Sequence, residues 1–187
     1  MPNLETKLTI GPVIFDLETN GLLLNTTCIH CACLYYTSDD YSETFNDEKI
    51  GKGMSSPVVR AVQHIQIPDC IIGHNIVGFD IPIIKNIYPF FNPVGTIVDT
   101  LILSRLYHPN LLDIDKLNQW PDMPTKLYGS HSLEAWGYRL GEYKGDYGKT
   151  TDWSQWSQEM EEYCTQDVLV TKKLCDYFST TFLNGSN

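Results

Sequence analysis

The chain has 187 residues, of which 42% are hydrophobic, and this composition suits one globular domain and excludes a disordered or fibrous chain. With 13 basic against 23 acidic residues, the net charge is −10, which argues against a protein held on nucleic acid by a broad basic surface. An enzyme that binds a few nucleotides through metal ions is compatible with this charge. No apolar run approaches the ~20 residues that span a bilayer and no signal peptide is recognisable, so we expect a cytoplasmic protein without membrane contact.

The predicted elements alternate between strands and helices along the chain. β-Formers bounded by turn residues predict strands, and apolar residues at helical spacing predict helices. The predicted strands are residues 12–19, 28–37, 41–45, 70–73 and 96–99. Two predicted helices begin at Ser56–Pro57 (Ser56 as cap, Pro57 as first helical residue) and at Asp80, two more cover residues 100–107 and 130–140, and the segment 153–182 holds the longest helix. Residues 107–128, with three prolines, are predicted to be irregular, and the whole pattern favours a mixed sheet with helices on its faces.

Two acids lie close together on the first predicted strand. Asp16 and Glu18 are two residues apart, so their side chains point to the same face, while Phe15 and Leu17 point to the other. So apolar a strand is expected to be central, where adjacent carboxylates are costly unless they bind cations or protons. An amphipathic strand with one solvated face is the alternative interpretation.

Further acids occur at a helix start and on the last helix. Asp80 begins a helix directly after a short strand, and a plain helix cap is its alternative role. Asp167 follows Tyr163 by four residues on an otherwise apolar helix face, unless the aspartate turns to solvent. Four converging carboxylates would suit Mg²⁺ or Mn²⁺, and two such ions ~3.5–4 Å apart catalyse phosphoryl displacement.

Three motifs carry these acids in a familiar order and spacing. They are Phe15-Asp-Leu-Glu-Thr19, Asn75-Ile-Val-Gly-Phe-Asp80 and Tyr163-Cys-Thr-Gln-Asp167. With the stretches 98–105, 129–141 and 166–172, the sequence resembles 3′–5′ exonucleases of the DEDD class, tyrosine subtype, and especially the proofreading domain of phage-type family A DNA polymerases. The resemblance implies a ribonuclease-H-like α/β fold, with a mixed five-stranded sheet flanked by helices.

The resemblance also implies roles for individual residues. Asp16, Glu18 and Asp167 would bind the ion that holds the attacking water, and Asp16 and Asp80 would bind a second ion on the leaving-group side. Both ions would be Mg²⁺ or Mn²⁺, and Tyr163 would orient the water. The residues implied to hold the terminal nucleotides are Thr19, Leu22, Asn75 and Phe79.

The implied activity is stepwise hydrolysis of DNA from a single-stranded or frayed 3′ end, releasing nucleoside 5′-monophosphates. Residues 1–187 are expected to form a single exonuclease domain without a polymerase module, acting alone or with a separate polymerase chain. The alternatives are an exoribonuclease of the same class and a non-catalytic subunit that binds 3′ ends or docks on a polymerase. The sequence offers no residue that reads the ribose 2′-hydroxyl.

Several other residues receive plainer interpretations. Asp99 is predicted to cap the helix that follows it. Cys28 and Cys31 have the spacing of half a zinc site but are predicted to be strand residues. The sparse basic residues Lys126, Arg139 and Lys144 either contact phosphate or belong to a solvated surface.

Overall fold

The structure, a computed structural model, describes residues 11–48, 57–142 and 152–183. Its strands are β1 Val13–Thr19, β2 Ile29–Tyr36, β3 Tyr41–Asn46, β4 Cys70–Gly73 and β5 Thr96–Asp99. Its helices are α1 Val58–Ile65, α2 Asp80–Ile87, α3 Thr100–Tyr107, α4 Leu111–Asn118, α5 Leu133–Arg139 and α6 Gln158–Phe178. The predicted fold class, a mixed five-stranded sheet flanked by helices, is confirmed.

The five strands lie in the order β3-β2-β1-β4-β5. Strand β1 is antiparallel to β2 and parallel to β4, and β5 extends the parallel part. The central position predicted for β1 is therefore confirmed, and its apolar sequence follows from having helices on both faces.

The two faces of the sheet pack against different helices. Phe15 and Leu17 of β1 enter a core with the apolar residues of α1 and α2. Ile14 enters the opposite core, with Met160 and Val168 of α6. Because alternate strand residues share a face, Asp16 and Glu18 lie on the α6 side.

Gly73 lets the chain turn sharply at the end of β4. A Cβ atom there would lie 2.2 Å from Cγ2 of Ile76 and 2.9 Å from the carbonyl oxygen of Phe15. Only glycine fits without movement of a neighbour, so the loop after β4 folds back closely over β1.

The start of α1 differs from the prediction. Pro57 occupies the N-cap position with extended backbone (φ −60°, ψ 149°), and Val58 is the first helical residue. The Val58 N–H donates to Oδ1 of Asp47 at 3.0 Å, so a residue from the preceding strand end satisfies this helix terminus. Ser56, the predicted cap, lies outside the described residues.

The prediction of irregular structure for residues 107–128 is wrong. They contain α4 and a short 3₁₀ turn at Thr125–Leu127. The helix predicted for 130–140 begins later in the structure, because the Ser132 hydroxyl caps it by accepting from the Ala135 N–H. The longest helix, α6, lies within the predicted segment 153–182, with Ser157 as its cap. Across the part of the chain that is described, no helix is long and apolar enough to cross a membrane.

A buried ion pair joins α4 to α5. Asp115 accepts hydrogen bonds from Arg139 (Nε 2.9 Å, Nη2 2.7 Å), from the Trp120 indole N–H at 2.8 Å and from the Gly129 N–H at 2.7 Å. Both charged side chains are buried. Arg139 therefore neither contacts phosphate nor lies on a solvated surface, and both of its predicted roles are wrong.

Arg139→Met is expected to destabilise the protein by roughly 3–5 kcal/mol, because it leaves the buried Asp115 carboxylate without its cation. Burial raises the pKa of Asp115, but bonds from Arg139, Gly129 and Trp120 outweigh it and hold the pKa below its usual 3.8. The stabilisation is thus present above pH ~4 and lost as pH falls through the lowered pKa. Urea unfolding measures the loss. The matched control is Lys172→Met, which breaks an exposed ion pair with Asp176 and is expected to lower the free energy of unfolding by at most about 1 kcal/mol. An equal loss of unfolding free energy in the two variants would contradict the stabilising role of the buried pair.

Candidate active site

The two strand acids are bordered by three thiols. The β1–β2 register pairs Asp16 with Cys33 and Glu18 with Cys31, and paired residues share a face of the sheet. Cys164 of α6 covers them, and one carboxylate oxygen of each acid and the Cys164 sulfur all lie within 4.8 Å of one another. Glu18 is buried and Asp16 half-buried, so two carboxylates face a narrow space under the helix.

The Cys164 thiol is a neutral neighbour of these acids. Burial is the largest cause that raises its pKa well above 9.0, followed by Cys31 and by the negative charges of Asp16 and Glu18. Its S–H donates to the Asp16 carbonyl oxygen at 3.4 Å. A protonated thiol is a poor ligand for hard cations, so the donors available to Mg²⁺ or Mn²⁺ here are the carboxylate oxygens.

Asp80 comes to the same sheet end from the opposite face. It is the first residue of α2, Phe79 holds the N-cap position, and no side-chain hydrogen bond caps this helix, so the alternative role of Asp80 as a cap is wrong. The backbone N–H of Leu17, the residue between Asp16 and Glu18, donates to the Asp80 carboxylate and so ties it to β1.

The Asp80 carboxylate is almost completely buried, with 3% of its residue surface exposed. Burial raises its pKa to about 7; the N–H groups of Asp80 and Leu17 oppose this rise, while the charges of Asp99 and Asp167 add to it. Among the described residues, no donor reaches its Oδ1 atom. A buried carboxylate in this state fits a site that takes up positive charge.

The last helix contributes Asp167 and Tyr163. Asp167 is buried and close enough for its charge to act on Asp80, so α6 and α2 bring their acids together across β1. Tyr163 is half-buried and its ring meets Trp153 edge-on, with centroids 6.2 Å apart. The Trp153 carbonyl accepts a hydrogen bond from Nε2 of His30 at 3.1 Å, which fixes the segment before α6 against β2.

The residues predicted to hold nucleotides occupy two loops. The Thr19 hydroxyl donates to the Gly21 carbonyl at 2.9 Å, and so shapes the turn after β1. Leu22 in that turn is 78% exposed. Asn75 is exposed and Phe79 half-buried in the loop before Asp80.

Sequence reasoning missed two more apolar side chains beside Leu22. Leu23 is 40% exposed and Leu24 is 96% exposed, so three consecutive leucines protrude after β1. Consecutive exposed leucines are unusual on a protein surface and form an apolar edge that suits a flat, apolar partner. The signal was present in the sequence as Gly21-Leu-Leu-Leu, since a turn gives no core to bury them.

Residues 13–179 match the model of the RNase_H superfamily. Among curated proteins, the DNA-directed DNA polymerase of Escherichia phage T7 is 33% identical over 187 residues, and that of Enterobacteria phage T3 is 32% identical over 186. Each alignment covers 88% of this chain but 26% of the polymerase, so the chain spans about a quarter of the length of these relatives.

Solved structures share the fold at low sequence identity. Escherichia coli exonuclease I in complex with a dT13 oligonucleotide superposes with a TM-score of 0.60 at 16% identity, covering 94% of this chain and 42% of that one. Brucella melitensis NrnC superposes with a TM-score of 0.59 at 19% identity, covering 96% and 77%. The match of residues 13–179 to the family model shows that the chain belongs to the RNase H superfamily.

Proposed function

We propose that this protein is a metal-dependent 3′–5′ exonuclease that hydrolyses the 3′-terminal phosphodiester of DNA and releases nucleoside 5′-monophosphates. The observation that carries the proposal is the buried carboxylate of Asp80, which accepts from the Leu17 N–H between Asp16 and Glu18 and feels the charge of Asp167, with its pKa raised to about 7. So much buried negative charge is costly in a metal-free protein, and divalent cations would offset that cost.

Each acid has a distinct task in the proposed site. Asp16, Glu18 and Asp167 would hold one cation, and Asp16 and Asp80 a second. Two Mg²⁺ or Mn²⁺ ions would supply an activated water and a stabilised leaving oxygen for in-line hydrolysis. The Tyr163 hydroxyl, half-buried beside Trp153, would orient the attacking water.

The loops around the acids would hold the substrate strand. Thr19, Asn75 and Phe79 would position the terminal nucleotides, and exposed Leu22 would pack against a base and keep the end frayed. Single-stranded ends are the proposed preference, because unstacked bases expose their apolar faces to such a side chain.

DNA is the proposed substrate because the relatives at 32–33% identity are DNA polymerases. Proofreading of DNA synthesis in the cytoplasm is the biological role that fits this likeness best. Brucella NrnC, which shares the fold, has been solved bound to pGG, so RNA remains the comparison that the experiment must include.

The proposal is tested with four substrates labelled at the 5′ end: single-stranded DNA, RNA of equal sequence, matched duplex and duplex with a mismatched 3′ end. In Mg²⁺ we expect a ladder of progressively shorter single-stranded DNA, slower loss from the matched duplex, and no reaction with chelator. Faster shortening of RNA than of DNA would make the protein an exoribonuclease. Intact strands in both Mg²⁺ and Mn²⁺ would rule out the nuclease, and binding without cleavage would leave a non-catalytic subunit.

A further inference from the structure

We propose that Asp99 is a positioning residue of this site, because its carboxylate holds the loop 74–79 from which Phe79 and Asp80 are presented. The inference rests on the proposed function, since it assigns a task in metal and substrate binding to a residue outside the four acids. Asp99 is the last residue of β5 and 5% exposed.

The Asp99 carboxylate accepts three backbone hydrogen bonds. Oδ1 accepts from the Leu101 N–H at 2.9 Å, and this bond is the N-cap interaction predicted for α3. Oδ1 also accepts from the Asn75 N–H at 2.9 Å, and Oδ2 accepts from the Val77 N–H at 3.0 Å. A cap requires only the first of these bonds, so the other two serve the loop.

The loop needs an external acceptor because of its shape. Asn75 has left-handed backbone (φ 64°), and its carbonyl accepts the N–H groups of Gly78 at 3.1 Å and Phe79 at 3.0 Å. The Asn75 carbonyl is therefore satisfied within the turn, whereas the N–H groups of Asn75 and Val77 donate to the Asp99 side chain outside it. Helix α2 begins at the next residue, Asp80, so the turn sets where that helix starts.

The β4–β5 pairing brings the acceptor to the loop. Gly73 and Asp99 are register partners at the ends of these parallel strands, so the loop leaves β4 directly beside the Asp99 side chain. The Thr100 hydroxyl adds a bond to the Gly73 carbonyl at 3.2 Å. The carboxyl end of β5 thus acts as a fixed support for the loop that carries Asn75, Phe79 and Asp80.

Two substitutions separate the cap from the loop bonds. Asp99→Ser keeps a good helix cap but is too short to reach the loop. Asp99→Asn keeps the cap and an acceptor for the Asn75 N–H, but turns an amide N–H₂ group towards the Val77 N–H. Both variants remove the same charge, so a difference between them does not come from the charge, and exchange at the Asn75 and Val77 amides assigns it to the loop bonds.

The readouts are Mn²⁺ affinity measured without substrate, kcat and KM on single-stranded DNA, and hydrogen exchange at the Asn75 and Val77 amides. We expect Mn²⁺ affinity and kcat/KM to fall in the order wild type, Asp99→Asn, Asp99→Ser, with about a 100-fold total loss of kcat/KM. Exchange is expected to speed up at Val77 in both variants and at Asn75 chiefly in Asp99→Ser. Ser132→Ala, which removes the α5 cap, is the control and should change stability but neither Mn²⁺ affinity nor exchange in the loop.

Equal Mn²⁺ affinity in the two variants and the control would overturn the inference, as would loop exchange that matches the wild type. If Asp99→Ser does not fold, Asp99→Asn alone decides, since it retains two of the three bonds. A wild-type protein that neither binds Mn²⁺ nor cleaves would instead overturn the proposed function, and the amide exchange would still show whether Asp99 holds the loop.

Discussion

The double variant Asp16→Ala with Glu18→Ala is expected to cleave single-stranded DNA at least about 10⁴-fold more slowly than the wild type. These acids are two of the proposed ligands, and the transition-state stabilisation that metal ions give amounts to several kcal/mol, at 1.36 kcal/mol for each factor of ten. The fold should persist, because Asp16 and Glu18 form no part of the apolar cores on either side of β1. The initial rate of strand shortening in Mg²⁺ measures the effect.

The matched control removes the same two charges elsewhere. Asp69 and Asp113 are exposed, one directly before β4 and the other on α4. Asp69→Ala with Asp113→Ala should leave the rate within about threefold of the wild type. Similar rates for the two double variants, whether both low or both high, would show that the strand acids are not the reaction centre.

Asp80→Asn is expected to lower activity about 1000-fold while making the metal-free protein more stable at pH 8. Asparagine removes the charge that binds the cation but keeps an oxygen that accepts a backbone N–H. Because burial raises the pKa of Asp80 to about 7, the wild-type carboxylate is ionised at pH 8 at a cost in folding free energy. We expect a gain of roughly 2–4 kcal/mol from its removal.

The pH dependence of this gain has a defined sign. The folded pKa of Asp80 lies above its usual 3.8, so the penalty is complete above pH ~7 and vanishes as pH falls towards 4. Wild type and Asp80→Asn, compared by urea unfolding in chelator, should differ most at pH 8 and converge near pH 4. Asp16→Asn, at a half-buried acid, should show a smaller gain. A variant less stable than the wild type at pH 8 would mean that the Asp80 carboxylate is already compensated within the protein.

The sequence predicted the strand acids well because a strand repeats every two residues. The spacing of Asp16 and Glu18 alone placed them on one face, and the β1–β2 register confirms it. The short elements β4, β5 and α3 also matched the prediction, since a turn or a cap such as Asp99 bounds each of them. Local signals sufficed wherever neighbours in the chain decide the structure.

Helix α4 could not be predicted from its local sequence. Its sequence, Leu111-Leu-Asp-Ile-Asp-Lys-Leu-Asn118, lies between prolines and has an aspartate where a core residue would be expected. Asp115 is tolerated inside because Arg139, 24 residues later, lies buried against it. For the same reason the burial of Arg139 could not be predicted, because arginine side chains are usually exposed and the local sequence does not show the contact with Asp115.

The second role of Asp99 was equally hidden. Capping depends on the next few residues and was predicted correctly, whereas the bonds to Asn75 and Val77 depend on the pairing of two parallel strands. The neighbourhood of Asp80 and Asp167 likewise required helices on opposite faces of β1 to meet at one end of the sheet. Tertiary packing, not local preference, assembles these parts of the site.

The most direct measurement of the central claim is the number of Mn²⁺ ions bound per chain, counted by electron paramagnetic resonance without substrate. The wild type is expected to bind two ions, and Asp80→Asn one, because Asp80 is a proposed ligand of the second ion alone. Exposed Asp113→Asn should still bind two. A wild type that binds no Mn²⁺, or an unchanged count in Asp80→Asn, would contradict a two-metal site built from these acids.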